Sequence, residues 1–411
     1  MALKISKTVL NGSVKVSGAK NSALRLLAAS ILTGDSVELK NFPNGLLDVA
    51  VHIEMLKVLG KSCEIIGPDH LKVIENKSLN NTLDWDERSI RNTLLILGAL
   101  TTRFGEGRVP LPGGCKLGER KYDLHVMLLE RLGAEVWEEG EYLCAKAKGD
   151  TLIANEIHLP IRSTGATENA IICGTLAKGK TTLYNPHIRP EIKDLISMLN
   201  SMGAKIKVFG QRSIEIEGVD YLKGVTHSVI PDNMEALTWA IGSAVTGGDV
   251  EIENFPFEHL EVPLVFLRES GMKFYIGNDS LIVKGSTPYP IEISTGPYPG
   301  INSDMQPLFA VYGAQSVGES KIVDLRFPGR YAYAEELAKM GLNFEVNGDM
   351  LVIHGGAKFK GGVTVKALDL RAGIALLLAG MTCDEEITIE DDWQIRRGYE
   401  NLDEKIKMLS N

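Results

Sequence analysis

The chain has 411 residues, 44% of them hydrophobic and 24% charged, and carries a formal net charge of −9. That length exceeds one ordinary core and points to two domains, while the negative balance excludes a global field suited to nucleic acid or an anionic membrane, so an anionic ligand needs a local basic site. The longest apolar run falls short of the ~20 residues of a bilayer span, MALKISKTVL carries no apolar signal core, and five scattered cysteines without a CxxC, beside histidines without an HExxH, indicate neither a disulfide framework nor a metal centre.

From the N-terminus, GSVKVSG seeds a strand, and NSALRLLAASILTG from Asn21 predicts an Ala-rich helix leading into the strand SVELKNF. A more polar helix then closes at Leu59-Gly60. The same order follows with RNTLLILGALTTRFG from Arg91, the strand GRVPLPG and a helix end at Leu132-Gly133, and again with TENAIICGTLAKG from Thr167, TTLYNP and Met202-Gly203. A strand seed near residue 225, YLKGVTHSVIP, opens the second half. There the series is MEALTWAIGSAVTGG from Met234 with DVEIENF and Ser270-Gly271, DMQPLFAVYGAQSVG from Asp304 with KIVDL and Met340-Gly341, and RAGIALLLAG from Arg371 with EITIED. The last helix stops at Met408-Leu409-Ser410. The helix-closing glycines recur about every 70 residues, the mark of a repeat architecture, and each supplies a left-handed cap that turns the chain into the next strand.

The six helices that precede strands are apolar nearly all round, which places them inside, whereas helices such as EIKDLISMLNSMG carry charge on one face and belong outside. The expected fold is α/β, with six units grouped three plus three. Chain crossings near Lys20 and Val229 give a first domain over 20–228 and a second over 1–19 and 229–411.

Buried helices favour anions at their N-termini, where backbone N–H groups and the dipole converge. Lys20-Asn21, Arg91, Thr167-Glu168, Asn233, Asp304 and Arg371 stand at these starts. Polar caps there are ordinary and structural. Cations oppose the dipole, so Lys20, Arg91 and Arg371 call for a negative partner. The segment Gly174 to Thr181 matches the phosphate-loop pattern GxxxxGK[ST], but it ends a helix and starts a strand, the reverse of the order that the phosphate-binding mechanism requires.

The segment LPGGCKLGERKYDLH, Leu111 to His125, combines a Gly-Gly hinge with Cys115, flanked by Lys116 and Arg120. Neighbouring cations favour a thiolate and make Cys115 a usable acid, nucleophile or target. Cys63, Cys144, Cys173 and Cys383 read as inert structural residues.

Together with VSGAKNSAL (Val16 to Leu24), RSTGATEN (Arg162 to Asn169), SDMQ (Ser303 to Gln306), GRYAYAEEL (Gly329 to Leu337), DLRAG (Asp369 to Gly373) and RRGYENLDEKI (Arg396 to Ile406), this loop makes the whole chain resemble the UDP-N-acetylglucosamine 1-carboxyvinyltransferases, relatives of the shikimate-pathway enolpyruvyl transferase. The resemblance implies a two-domain inside-out α/β barrel of six repeated units with buried helices. It implies an enzyme that takes phosphoenolpyruvate and a uridine nucleotide sugar; composition and charge already point to a cytoplasmic protein without a metal or cofactor and with no nucleic-acid or membrane partner. Phosphoenolpyruvate would be held by Lys20, Asn21, Arg120, Arg330, Arg371 and Arg397. The nucleotide sugar would meet Arg91, Arg120, Lys121, Tyr122, Asp123, Leu124, Ser163, Thr164, Asp304 and Arg326. Cys115 would protonate the methylene carbon, and Asp304 would take the proton of the acceptor hydroxyl, late and as a weak base because arginines surround it.

Four features depart from the family pattern. Leu47 stands where a Lys usually precedes the Asp at Asp48, Lys121 and Tyr122 replace a Pro-Val pair, Thr164 replaces Val, and Arg326 replaces an aliphatic residue. They cluster on the acceptor side, so three readings stand: transfer to the 3-hydroxyl of UDP-N-acetylglucosamine in peptidoglycan synthesis, transfer to another uridine nucleotide or nucleotide sugar, and a non-catalytic nucleotide-binding paralogue.

Overall fold

The computed structural model describes residues 2–88, 90–112 and 122–410. The chain divides into two compact units, Gly18–Ile230 and Met1–Ser17 with Pro231–Asn411.

In the unit Gly18–Ile230, the helices Lys20–Ala29, Thr93–Phe104 and Thr164–Gly174 form the interior. Their apolar residues lie on every side, so only a fully enclosed position removes them from water. Each leads into a strand: Val37–Lys40, Glu106–Pro110 and Lys180–Tyr184. Each of these pairs antiparallel with one arm of a hairpin, formed by Lys61–Gly67 and His70–Glu75, Ala134–Glu139 and Tyr142–Ala147, and Lys205–Phe209 and Ser213–Glu217. Register follows the hydrophobic alternation: Val37 opposes Val73 and Leu39 opposes Leu71, all four buried, while Lys40 is exposed. The outer helices end at Gly60, Gly133 and Gly203, with φ of 110°, 86° and 105°, a region open to glycine at little cost. The phosphate-loop match lies between the helix Thr164–Gly174 and the strand Lys180–Tyr184, the reverse of a phosphate loop.

The other unit repeats the plan with Asn233–Thr246, Gln306–Ala314 and Leu370–Gly380 inside, the last two buried at every residue. Its third sheet has no hairpin among the described residues. Instead Ala2–Ile5 pairs antiparallel with Ile387–Glu390, so the start of the chain completes the unit that contains its end. The strands form six separate sheets, with no continuous hydrogen-bonded barrel among the described residues. Packing of the three interior helices, not strand closure, unites each unit.

At the two chain crossings the edge strands are exchanged. Asn11–Lys15 precedes the helix Lys20–Ala29 but pairs parallel with Asp249–Glu253, and Val225–Ser228 precedes Asn233–Thr246 but pairs parallel with Val37–Lys40. Ala19 N donates to Ile230 O at 2.7 Å, and Asp232 N to Ser17 O at 2.9 Å. Gly18 is required here because a Cβ would lie 1.8 Å from the Asn41 carbonyl oxygen. Asn41, Asn185 and Asn254 follow their strands in the left-handed region, at φ 48°, 57° and 57°. Their side-chain amides donate to Val229 O, Leu159 O and Val16 O, tying each strand end to its parallel neighbour.

Helix starts shift from the expected positions for local reasons. Arg91 and Asp304 stand in turns that precede Thr93 and Gln306, because i→i+3 bonds (Leu94 N to Arg91 O, Leu308 N to Met305 O) open these helices. Ser163, Asp232 and Asp369 act as caps and start the helices at Thr164, Asn233 and Leu370.

Candidate active site

Lys20 is the first residue of its helix and 9% exposed. Its Nζ lies 3.4 Å from Asp48 Oδ2, and the other oxygen of Asp48 accepts from Arg88 Nη2 at 3.0 Å. The negative partner that Lys20 required is thus supplied in part by the chain itself. Asn21 follows, half-buried. Beside Arg91, Asn92 is buried and donates to Leu24 O at 2.8 Å and to His52 Nδ1 at 3.0 Å. Asn169 makes the matching bond to His125 Nδ1 at 3.1 Å. Burial, reinforced by Arg25 at His52 and by Arg91 at His125, lowers both imidazoles to a pKa of about 3, so both are neutral. Burial raises the carboxyl of Glu168, which Arg25 Nε meets at 2.7 Å.

The remaining acceptor-side candidates of this unit occupy less enclosed places. Ser163 Oγ caps its helix through Ala166 N, and Thr164 Oγ1 lies 2.9 Å from His187 Nδ1. Tyr122 donates to Glu138, which raises its phenol to about 12. Asp123 is exposed at the start of Asp123–Arg131, and Leu124 packs partly against the core. Cys115, Arg120 and Lys121 lie outside the described residues.

In the other unit, Asp304 is held by two arginines: Arg330 Nη1 donates to Oδ1 at 3.0 Å and Arg371 Nε to Oδ2 at 3.4 Å. Arg330 also reaches Asp369 Oδ2 at 3.3 Å and Ser303 Oγ at 3.1 Å. Asp369 Oδ1 caps the last interior helix through Arg371 N and Ala372 N, so one carboxylate fixes both arginines. Arg371 is 5% exposed. Burial opposes its charge, but Asp304, Tyr399, Asp232 and Asp369 outweigh that cost and raise its pKa. Arg397 Nη1 donates to Gln394 Oε1 at 3.0 Å. The Arg326 side chain is exposed, its guanidinium 5.4 Å from the Phe327 ring centre, and its backbone N is tied to Asp324.

Sequence reasoning missed the supports of this cluster. Buried Asp324 accepts from Thr295 Oγ1, Ser303 Oγ and the backbone N–H groups of Arg326 and Phe327, which fixes the loop carrying Arg330. Its signal is an Asx-type turn after a strand, visible locally, although its distant partners are not.

The sequence pattern of EPSP synthase (3-phosphoshikimate 1-carboxyvinyltransferase) matches residues 5–406. The chain belongs to this family. Within the EPSP synthase family it is 42% identical over 403 residues to the UDP-N-acetylglucosamine 1-carboxyvinyltransferase 1 of Carboxydothermus hydrogenoformans, covering 97% of this chain and 94% of that one. It is 38% identical over 401 residues to the enzyme of the same name from Caldanaerobacter subterraneus subsp. tengcongensis, covering 97% and 95%. The fold is shared with the enolpyruvyl transferase NikO of Streptomyces tendae (TM-score 0.89, 24% identity, 99% and 97% covered). It is shared also with EPSP synthase of Acinetobacter baumannii (TM-score 0.77, 19% identity, 100% and 98% covered). As a family member the chain is a carboxyvinyl (enolpyruvyl) transferase. No helix among the described residues is long and apolar enough to cross a membrane.

Proposed function

We propose that this enzyme transfers the enolpyruvyl group of phosphoenolpyruvate to the 3-hydroxyl of UDP-N-acetylglucosamine with release of phosphate, the first committed step of peptidoglycan synthesis. The observation that carries this reading is the end-to-end match, 42% identical over 97% of the chain, to a relative bearing that activity in its name. The geometry supports it: Lys20, Arg330 and Arg371 are cations held by carboxylates in largely buried positions, where electrostatic interactions are stronger than in water.

In this reading Cys115 donates a proton to the methylene carbon of phosphoenolpyruvate, and C2 becomes electrophilic. The acceptor hydroxyl adds there and passes its proton to Asp304. The tetrahedral intermediate then expels phosphate and loses the added methyl proton, which regenerates the enol ether on the acceptor. General acid and general base each contribute about a hundred- to ten-thousand-fold. Lys20, Arg120, Arg330, Arg371 and Arg397 balance the charge of phosphoenolpyruvate, and Asn21 donates a hydrogen bond to it. Arg91, Arg120, Lys121, Tyr122, Asp123, Leu124, Ser163, Thr164 and Arg326 face the nucleotide sugar. Asp304, gripped by two arginines, orients the hydroxyl and takes its proton late.

Phosphate release from phosphoenolpyruvate tests the acceptor, using UDP-N-acetylglucosamine, UDP and UMP with wild type and Arg326→Val. The expected result is turnover with UDP-N-acetylglucosamine alone, with the KM for that acceptor raised in the variant. Turnover with UMP and none with the sugar nucleotide would contradict the assignment, and no turnover with any acceptor would favour a non-catalytic paralogue.

A further inference from the structure

We infer that Asp194 is a positioning residue for the phosphoenolpyruvate site, holding the start of the helix Lys20–Ala29 and so fixing where Lys20 and Asn21 meet the substrate; this rests on the function proposed above. Asp194 lies on the outer helix Pro190–Ser201 and is 5% exposed. Its Oδ2 accepts from Ser22 Oγ, in the first turn of the interior helix, and from Ile230 N at 3.4 Å. Its Oδ1 lies 2.7 Å from His227 Nε2, on the edge strand Val225–Ser228. All four residues belong to the unit Gly18–Ile230.

This helix start depends on outside support. Its N-cap residue is Ala19, which gives the first turn no side-chain acceptor, and no acidic residue occupies that turn. Asp194 brings the missing negative charge from another helix to the end where the dipole favours it. The ties bracket the two substrate residues. On one side Ala19 N donates to Ile230 O at 2.7 Å; on the other Ser22 Oγ donates to Asp194, which also accepts from Ile230 N. Lys20 and Asn21 lie between them, so their backbone is held at both ends by one carboxylate and the residue it fixes. A buried carboxylate is costly unless hydrogen-bonded, and here each bond that offsets the cost also secures an element: Ser22 the interior helix, His227 the edge strand, Ile230 the crossing. The Ser22 bond is the one that reaches the substrate residues. Ser22 is fully buried, and a hydroxyl bonded to a charged group is held more firmly than one bonded to a neutral partner. Cutting that bond leaves Asp194 on the strand and loosens the first turn, and a misplacement of about 1 Å is enough to weaken a preorganised site.

The test combines steady-state kinetics with amide hydrogen exchange of the full chain, followed on peptides covering residues 18–24. Ser22→Ala removes the tie and suits a helix. It is expected to raise the KM for phosphoenolpyruvate about tenfold, the scale of one hydrogen bond to a charged group, while kcat, the acceptor KM and the thermal midpoint stay near wild type. Exchange over residues 18–24 should quicken, as local opening becomes easier. Asp194→Asn keeps the side-chain shape without its charge; it weakens the same tie, raises the same KM, and gives the reading should Ser22→Ala fail to fold. In the Asp194→Asn background, Ser22→Ala should lose most of its effect. An unchanged phosphoenolpyruvate KM in Ser22→Ala overturns the inference, as does exchange identical to wild type over residues 18–24. An equal rise in both substrates' KM, or an undiminished loss in the Asp194→Asn background, also overturns it. Failure of the functional reading looks different: wild type then releases no phosphate with any nucleotide, while the exchange comparison still reports whether Asp194 holds the helix start.

Discussion

His52 and His125 are bases that the fold forbids to charge. Each is enclosed by its neighbours and accepts an amide proton from an asparagine on an interior helix, so its own proton sits on Nε2. One pair ties the residue before Thr93–Phe104 to the outer helix Leu47–Leu59, and the other ties the middle of Thr164–Gly174 to the outer helix Asp123–Arg131. Their folded pKa of about 3 lies below the ordinary value of 6.5, so between these limits the unfolded chain binds protons that the native state refuses. This stability is complete above about pH 6.5 and falls as pH drops, by up to about 2 kcal/mol for each histidine between roughly pH 7 and 5. His52→Gln, which keeps a polar partner for Asn92 without a titrating ring, should show a shallower loss of denaturation midpoint over that range. A slope identical to wild type would contradict the account. At this scale the sequence revealed candidates and not partners. Lys20, Asp304 and Arg371 were legible from motifs and helix starts, but Arg88 meeting Asp48 across 40 positions, or Asp304 meeting Arg371, leaves no periodic trace in the chain.

Among elements, the interior helices and their strands were legible because an all-round apolar helix and a closing glycine are local signals. The exchange of edge strands was not. GSVKVSG and YLKGVTHSVIP look alike as strand seeds, and only long-range register decides that Val14 lies beside Ile252 and His227 beside Leu39. Nor were the starts at Thr93 and Gln306 legible, since the preceding i→i+3 turns use residues that fit a helix equally well. Gly18 is the element-scale test. A Cβ there meets backbone, the Asn41 carbonyl, which cannot swing aside as a side chain would. Gly18→Ala should therefore cost about 1 to 3 kcal/mol and also lower turnover, because the next residues are Ala19 and Lys20. A variant with wild-type denaturation midpoint and rate would show that the crossing is looser than this contact implies.

For the molecule as a whole, family and fold stand on a match over residues 5–406 and on relatives covered nearly end to end. What the resemblance adds is the division of labour between acid, base and cations. Both units contain cations gripped by carboxylates at the starts of interior helices, an arrangement that accepts anions without leaving bare charge when they are absent. Cys115 and Arg120 belong to the same account through sequence alone. The chemistry is tested most directly at the product. Incubation with phosphoenolpyruvate and UDP-N-acetylglucosamine, followed by mass spectrometry of the nucleotide and phosphorus NMR of the mixture, should show a nucleotide sugar heavier by one enolpyruvyl group, formed in step with inorganic phosphate. Phosphate appearing with the nucleotide sugar unchanged in mass would contradict enolpyruvyl transfer to this acceptor.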